Sequence, residues 1–460
     1  MATSHSDHHE HPAAPLAIPA IDVGPVRTAA LAALVIGSIA FIVLAYLNIS
    51  TSGGYGLRDI FMSYTVGFVF WASLPFGALS MTLIAFMTSA SWGVVLRRCF
   101  HAATRTMPVV ALLFIPVAVS VFVAEGKQSP FWWSDQSWVT PTGEKNSDPA
   151  FQAAVKKMTD NKVKQDVAEI AVEKGLRPEA IEENHHKIHD FLNPVFFTIR
   201  GLLYFSIIGG LILIVNKWAR RAEDDDEQDG KNKLRAIAGP GIIVWTLCMT
   251  MMATDWVMSV EPTWASSMFP IVYGMNMLLT IFAFSIFVFY SLNAGNTEVL
   301  TIVKDKFRID IGSLLLALTM VWAYASFGQY MLIWAGNLPE EITYYRKRGD
   351  HGWEYLAYFL MAFHWLIPFV VLLFREVKTN PKAMRILSGM LLIVCMADVI
   401  WWILPAVERE HGTLHVPMAI AAIVAVGGIW GVAFAYELGK RPILPANSEG
   451  KFLATWGQHH

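Results

Sequence analysis

Five ionisable side chains stand in or at the edge of stretches of this sequence that are otherwise apolar. Arg200 lies in "NPVFFTIRGLLYF", Asp255 in "MMATDWVMSVEPTW" with Glu261 just past the apolar part, His364 in "LMAFHWLIPF" and Asp398 in "IVCMADVIWWILP". An ionisable group at membrane depth costs several kcal/mol unless it faces protein, water or a counter-charge, which makes each one a candidate for function. Tyr324, Ser326 and Gln329 in "VWAYASFGQYMLIWAG", and Glu408 and Glu410 after "WWILPAV", add polar groups to the same half of the layer. Two kinds of chemistry fit. Arg200 with Asp255, and His364 with Asp398, form neutralising pairs that lock helix register. Alternatively the set is a proton relay, or lines a pocket for the polar headgroup of a lipophilic substrate, with carboxyls that take and give protons.

Other chemistries are excluded by what the spans lack. His364 is the one histidine deep inside any apolar run, whereas a membrane-embedded haem needs two on facing helices. Cys99, Cys248 and Cys395 are far apart and match no haem-attachment, iron–sulfur or zinc spacing, so they read as small buried hydrophobes and no metal is expected. Any redox metal must then belong to another subunit. The formal net charge of -2 gives no reason to expect nucleic acid or an acidic partner.

The elements that must position these residues are membrane spans. Of the 460 residues, 55% are hydrophobic and only 16% charged, against about a quarter charged in an ordinary soluble domain. Apolar runs recur at 28–49, 62–88, 107–124, 194–215, 238–258, 267–292, 311–335, 353–374, 386–405 and 415–437. Each is close to the roughly 20 residues that cross a hydrocarbon core as a helix, the open-chain form that satisfies its own backbone in lipid. The fold expected is all-α and polytopic, with about ten transmembrane helices.

Lys and Arg concentrate in the connections 89–106, 216–237, 293–310 and 375–385, all on one side of a ten-span chain. The positive-inside rule makes that side cytoplasmic, with both termini there. Residues 1–27, with their scattered histidines, read as a disordered cytoplasmic tail and no cleaved signal peptide, and 438–460 as a second tail. Spans one to three occupy 28–124 and spans four to ten 194–437. Between them, 125–193 reads as a periplasmic insertion with two amphipathic helices, suited to gripping a partner. At 1.5 Å per residue His364 falls about 16 Å, and Asp398 about 10 Å, from the outer ends of adjacent antiparallel spans, so the two can meet.

The stretch "QYMLIWAGNLPEEITYYRKR" passes abruptly from apolar residues to charge. Taken alone it reads as a solvated span exit, with Trp334, Tyr344 and Tyr345 in the headgroup layer and Arg346, Lys347 and Arg348 beyond it. Trp92, Trp132, Trp133, Trp138, Trp264, Trp353 and Trp401 also fall near span ends and read as the same aromatic belt.

The segments "FLNPVFFTIRGLLYF", "TDWVMSVEPTWASSMFPIVYGMN", "VWAYASFGQYMLIWAGNLPEEITYYRKR" and "FHWLIPFVVLLFREVKTNP" together resemble the NrfD/polysulfide-reductase-like integral membrane subunits of alternative complex III, and specifically the second of the two paralogues. The resemblance runs over essentially all ten spans. It implies two four-helix bundles in the bacterial inner membrane, and a role in a respiratory or photosynthetic quinol:electron-acceptor oxidoreductase. Implied partners are a paralogous NrfD-like subunit, a periplasmic iron–sulfur/molybdopterin-like subunit, multihaem cytochrome c subunits and a terminal oxidase, with haem c and iron–sulfur clusters confined to those subunits. Quinone or menaquinone is the implied small-molecule ligand of the complex. In that setting Pro339, Glu340, Glu341 and Arg346 would shape a periplasmic loop against neighbouring subunits. A structural anchor and a stand-alone secondary transporter are the competing readings.

Overall fold

The computed structural model describes residues 22–51, 56–123, 129–134, 191–224, 228–349, 352–406 and 414–445, with isolated positions at 153, 156, 157 and 453. Most of the 125–193 insertion, including its expected amphipathic helices, lies outside the described residues, as do Trp138, Glu408, Glu410 and most of both tails.

Among the described residues every long element is a helix. In chain order they are α1 (Gly24–Thr51), α2 (Gly56–Thr88), α3 (Ser91–Thr104), α4 (Met107–Val123), α5 (Pro194–Asp224), α6 (Gln228–Trp256), α7 (Phe269–Leu292), α8 (Asp305–Gly336), α9 (Pro339–Arg348), α10 (Trp353–Leu373), α11 (Pro381–Ile403) and α12 (His415–Leu438). Nine of them are long and apolar enough to cross a membrane, or ten crossings if α3 and α4, bent by 42° at their junction, count as one. The protein is an all-α polytopic membrane protein.

The third crossing departs from expectation. Residues 89–106 read as a basic loop because Arg97, Arg98 and Arg105 interrupt the apolar run, yet 91–104 are helical. Val95, Leu96, Cys99, Phe100 and Ala103 fall at helical spacing and are buried, and α3 packs against α2 and α7. Pro108, second residue of α4, has no N–H to continue the α3 ladder, which accounts for the break.

Two four-helix groups stand side by side, as expected. The first holds α2, α3 with α4, α5 and α6; the second holds α7, α8, α10 and α11. The most enclosed helix, α2, joins them by packing on α6, α7 and α11. Inside the first, the Trp256 ring is surrounded by Phe68, Phe114, Phe205 and Phe76 at centroid distances of 5.1, 5.8, 6.0 and 6.0 Å. Aromatic groups of this size fill the space between four helices better than aliphatic ones.

Outside both groups α1 packs on α12 through small residues. A Cβ on Gly37 would stand 2.4 Å from the Ala425 nitrogen, and one on Gly428 2.3 Å from the Leu34 Cα. Such backbone approach is what glycine supplies where lipid offers no hydrophobic drive for helices to associate. G428V is expected to detach α1 at a cost of about 3 kcal/mol. Disulfide trapping between cysteines placed at Leu34 and Ala425 should then fall sharply, while the rest of the bundle melts as before.

Candidate functional site: a polar array at one end of the bundle

Arg200, Asp255 and Asp398 lie in the halves of their helices away from the Lys- and Arg-rich connections, and His364 lies at the middle of α10. They do not form one cluster. The structure sorts them into separate groups with different chemistry.

The first group is an ion pair inside the first bundle. Arg200 of α5 donates Nε to Asp255 Oδ2 at 2.9 Å and Nη2 to Oδ1 at 2.8 Å. Its remaining terminal nitrogen donates to the Phe191 carbonyl at 2.8 Å, and its guanidinium sits 3.9 Å from the Phe191 ring centroid. Tyr204, one turn along α5 and therefore on the same face, donates its hydroxyl to Asp255 Oδ2 at 2.5 Å. The Ser259 hydroxyl donates to the Asp255 carbonyl. A bidentate arginine also tied to a backbone carbonyl is a fixed counter-charge to Asp255.

The second group lies on the axis of the second bundle and takes one contribution from each of its four helices. Asp398 of α11, 1% exposed, accepts from Asn276 Nδ2 of α7 at 2.9 Å and from Trp322 Nε1 of α8 at 3.0 Å, both on Oδ2. His364 of α10 brings Nδ1 within 3.7 Å of the same oxygen, too long for a hydrogen bond, and among the described residues that nitrogen has no hydrogen-bond partner. The His364 ring is stacked on Trp322 at 3.5 Å, and its Nε2 faces Cys395 Sγ at 3.8 Å. The Thr280 hydroxyl donates to the Asn276 backbone carbonyl at 2.7 Å and lies 3.2 Å from the Asn276 side-chain oxygen. The expected meeting of His364 and Asp398 is therefore observed, and Asn276 and Trp322 are partners that sequence reading missed. A π-helical turn at Met361–Leu366 carries His364, a backbone form that recurs at functional sites.

The third group overturns the reading of 329–348 as a solvated exit. Residues 339–348 form a helix with Pro339 in its first turn, where a missing N–H costs nothing. This α9 lies back over the end of the second bundle, and Arg348, read as part of an outer positive run, is 2% exposed. It donates to Glu261 Oε1 at 3.0 Å and to the carbonyls of Tyr344, Trp401 and Trp402 at 2.9, 3.1 and 2.6 Å. Tyr344 stacks on Trp264 at 3.8 Å with 11° between the planes. Burial pushes the Tyr344 and Tyr345 hydroxyls above their ordinary pKa, with Arg348 pulling the other way, so both stay protonated. Tyr344, Trp264, Trp133 and Trp92 are thus core residues, and the belt reading fails for them; Trp334 at 56% exposure remains compatible with it.

Three further placements matter. Tyr324 is 77% exposed: the buried positions of α8, Leu315, Leu318, Trp322, Ala325, Gln329 and Ile333, follow helical spacing and leave it on the far side, outside the array. Gln329 is buried and shares with Glu341 an open cleft of about 410 Å³, to which Thr254, Met258, Ser266 and Ile333 also contribute. Arg346 is exposed on α9, and the side chains of Pro339 and Glu340 lie outside the described residues.

Sequence reading missed a fourth group. Asp59, in the first turn of α2, is buried, and its Oδ2 accepts from Asn48 at 3.1 Å while its Oδ1 lies 3.5 Å from His415 Nδ1. The available signal was an acid in the opening turn of a long apolar helix, where the helix dipole favours it. Among the described residues no three His, Cys, Asp or Glu side chains converge as a metal site.

Fold and polar array together define an integral membrane protein with buried carboxyl groups at one end of its bundle. Comparison with known protein families and with characterised protein sequences gives no match.

Proposed function

We propose that the chain is an NrfD-like membrane subunit of a quinol:acceptor oxidoreductase of the alternative complex III kind, and that the second bundle carries protons through Asp398. The observation that carries the reading is the contrast between two buried carboxylates. Asp255 is held by an arginine, whereas among the described residues Asp398 accepts from an amide and an indole, with an imidazole nitrogen nearby that has no hydrogen bond there. A carboxyl group held by neutral donors can lose and regain a proton without breaking an ion pair, and an adjacent imidazole is the natural acceptor. The motifs quoted from spans four to eight support the family reading.

In this role electrons pass through metal centres of other subunits: a periplasmic iron–sulfur/molybdopterin-like subunit and multihaem cytochrome c subunits, with a terminal oxidase as acceptor. A paralogous NrfD-like subunit lies alongside in the bacterial inner membrane. The basic end of the bundle faces the cytoplasm with both termini, as the Lys and Arg bias requires. The cleft at Gln329 and Glu341 is of a size that takes a quinone or menaquinone headgroup. Glu341 and Arg346 of α9 are the residues near which a periplasmic subunit would sit.

The test is D398N in the intact complex. Asparagine keeps the volume and an acceptor oxygen but carries no titratable proton. Quinol oxidation should persist while proton translocation per electron falls by at least tenfold; normal coupling would leave the subunit as a structural anchor. Purification as a colourless, active carrier without haem or iron–sulfur absorbance would instead establish the transporter reading.

A further inference from the structure

We infer that the cleft shared by Gln329 and Glu341 binds the headgroup of a zwitterionic aminophospholipid, with its ammonium on Glu341, its phosphate at the start of α7 and its acyl chains running down between α6 and α8. The inference is independent of the proton and electron reading above. It gives a cleft that admits a quinone headgroup by size a ligand chosen by charge.

Four elements form the walls. Thr254 comes from the last turn of α6, Ser266 and Ser267 from the residues that lead into α7, Gln329 and Leu332 from α8, and Glu341 from α9. Gln329 is 4% exposed, and among the described residues its side-chain amide makes no hydrogen bond. A buried amide in that state costs about 1–3 kcal/mol unless something in the cleft meets it. The Glu341 carboxylate likewise has no cationic partner among the described residues, and no Lys, Arg or His among them lines the cleft. Ser266 Oγ accepts from the Phe269 backbone N–H at 3.2 Å, which leaves its own hydrogen free to donate. The cleft therefore has two poles. The carboxylate of Glu341 suits an ammonium, which forms charge-assisted hydrogen bonds to it. The hydroxyls of Ser266 and Ser267 suit a phosphate, and they stand at the positive end of α7, a helix of 24 residues. A simple anion would meet the charge of Glu341, and a simple cation the dipole of α7; a zwitterion satisfies both.

The apolar surroundings favour a lipid over a free zwitterion. Leu332 lines the cleft and is 68% exposed. One turn towards the middle of α8, Gly328 leaves open space, since the nearest atom to an added Cβ there would be Met268 Cε at 3.9 Å. On α6, Leu247 and Ile243 are exposed at helical spacing from Thr254 and so share its face. Between these helices α7, which packs against both, exposes Ile271 in its first turn. An apolar track thus leads from the polar cleft towards the middle of the spans, the order of groups along a phospholipid.

The experiment is lipid retention by the full-length, delipidated protein in detergent, read by native mass spectrometry with added phosphatidylethanolamine, phosphatidylcholine or phosphatidylglycerol of identical acyl chains. The wild type is expected to retain phosphatidylethanolamine about tenfold better than either competitor, because choline has no N–H and glycerol no positive charge to offer Glu341. E341Q should abolish that preference. Q329L should weaken phosphatidylethanolamine and phosphatidylcholine alike, since both carry the phosphate. E341K should turn the preference towards phosphatidylglycerol, a gain that misfolding does not produce. Equal retention of the three lipids by the wild type, or Glu341 variants that keep its preference, would overturn the inference. So would displacement of phosphatidylethanolamine by equimolar O-phosphoethanolamine, which is the headgroup without the chains. Displacement by equimolar menaquinone would overturn it too, and would leave the cleft to the quinone.

Discussion

R200M is expected to unfold the outer half of the first bundle, or to prevent its assembly. The substitution leaves the Asp255 carboxylate buried with only the Tyr204 hydroxyl on its side chain, and removes the donor to the Phe191 carbonyl. Breaking a buried pair from one side costs about 3–5 kcal/mol, because the remaining charge has no compensation. Removing both charges is far less damaging, so R200M combined with D255L should recover most of the lost stability. Melting of the purified protein in detergent, followed by tryptophan fluorescence through the nearby Trp256, checks both statements. A single mutant as stable as the double mutant would show that the pair is solvated and that Asp255 is not committed to Arg200.

The second large effect is at Arg348, a residue that joins three elements at once. It ties α9 to the end of α11 through two carbonyls and to the loop after α6 through Glu261. R348M leaves those carbonyls unmet and Glu261 with only Lys347 at 3.9 Å, at a cost of about 3 kcal/mol. Because α9 is short and leans on this contact, the loss should appear as local opening. Hydrogen exchange over 339–349 is expected to accelerate about 100-fold, with the spans unchanged. R348K should rescue only in part: an ammonium retains the charge opposite Glu261 but lacks the planar fork that reaches several acceptors together. Uniform exchange rates in the wild type and R348M would mean that α9 is held by the Tyr344 and Trp264 stack instead.

Both effects show how far local reading carries. The pairing of Arg200 with Asp255 was legible because each is an isolated charge at comparable depth on neighbouring spans. The approach of His364 to Asp398 followed from counting residues along two antiparallel helices. The connection 89–106 was read as a loop because Arg97 and Arg98 interrupt its apolar residues, whereas 91–104 are helical and both arginines are buried on α3. Arg348 looked solvated for a related reason. A basic triplet after a span normally marks water, and nothing in its neighbours reveals that Glu261, 87 residues earlier, is waiting for one of the three. Tyr324 was drawn into the array by its depth alone, and the helical phase of α8 turns it away.

By itself the amino-acid sequence determined that this protein is an all-α bundle of membrane crossings, which polar residues are too costly to face lipid, and at which end of the bundle they gather. Those properties depend on the length of apolar runs and on desolvation, both local to the chain. Only the tertiary structure decided which carboxylate is neutralised and which is not, because the deciding partners, Asn276 and Trp322 for Asp398, lie 122 and 76 residues away. Their types alone do not distinguish them from ordinary core residues. Helix packing brings a neutral amide and an indole to one aspartate and a guanidinium to the other.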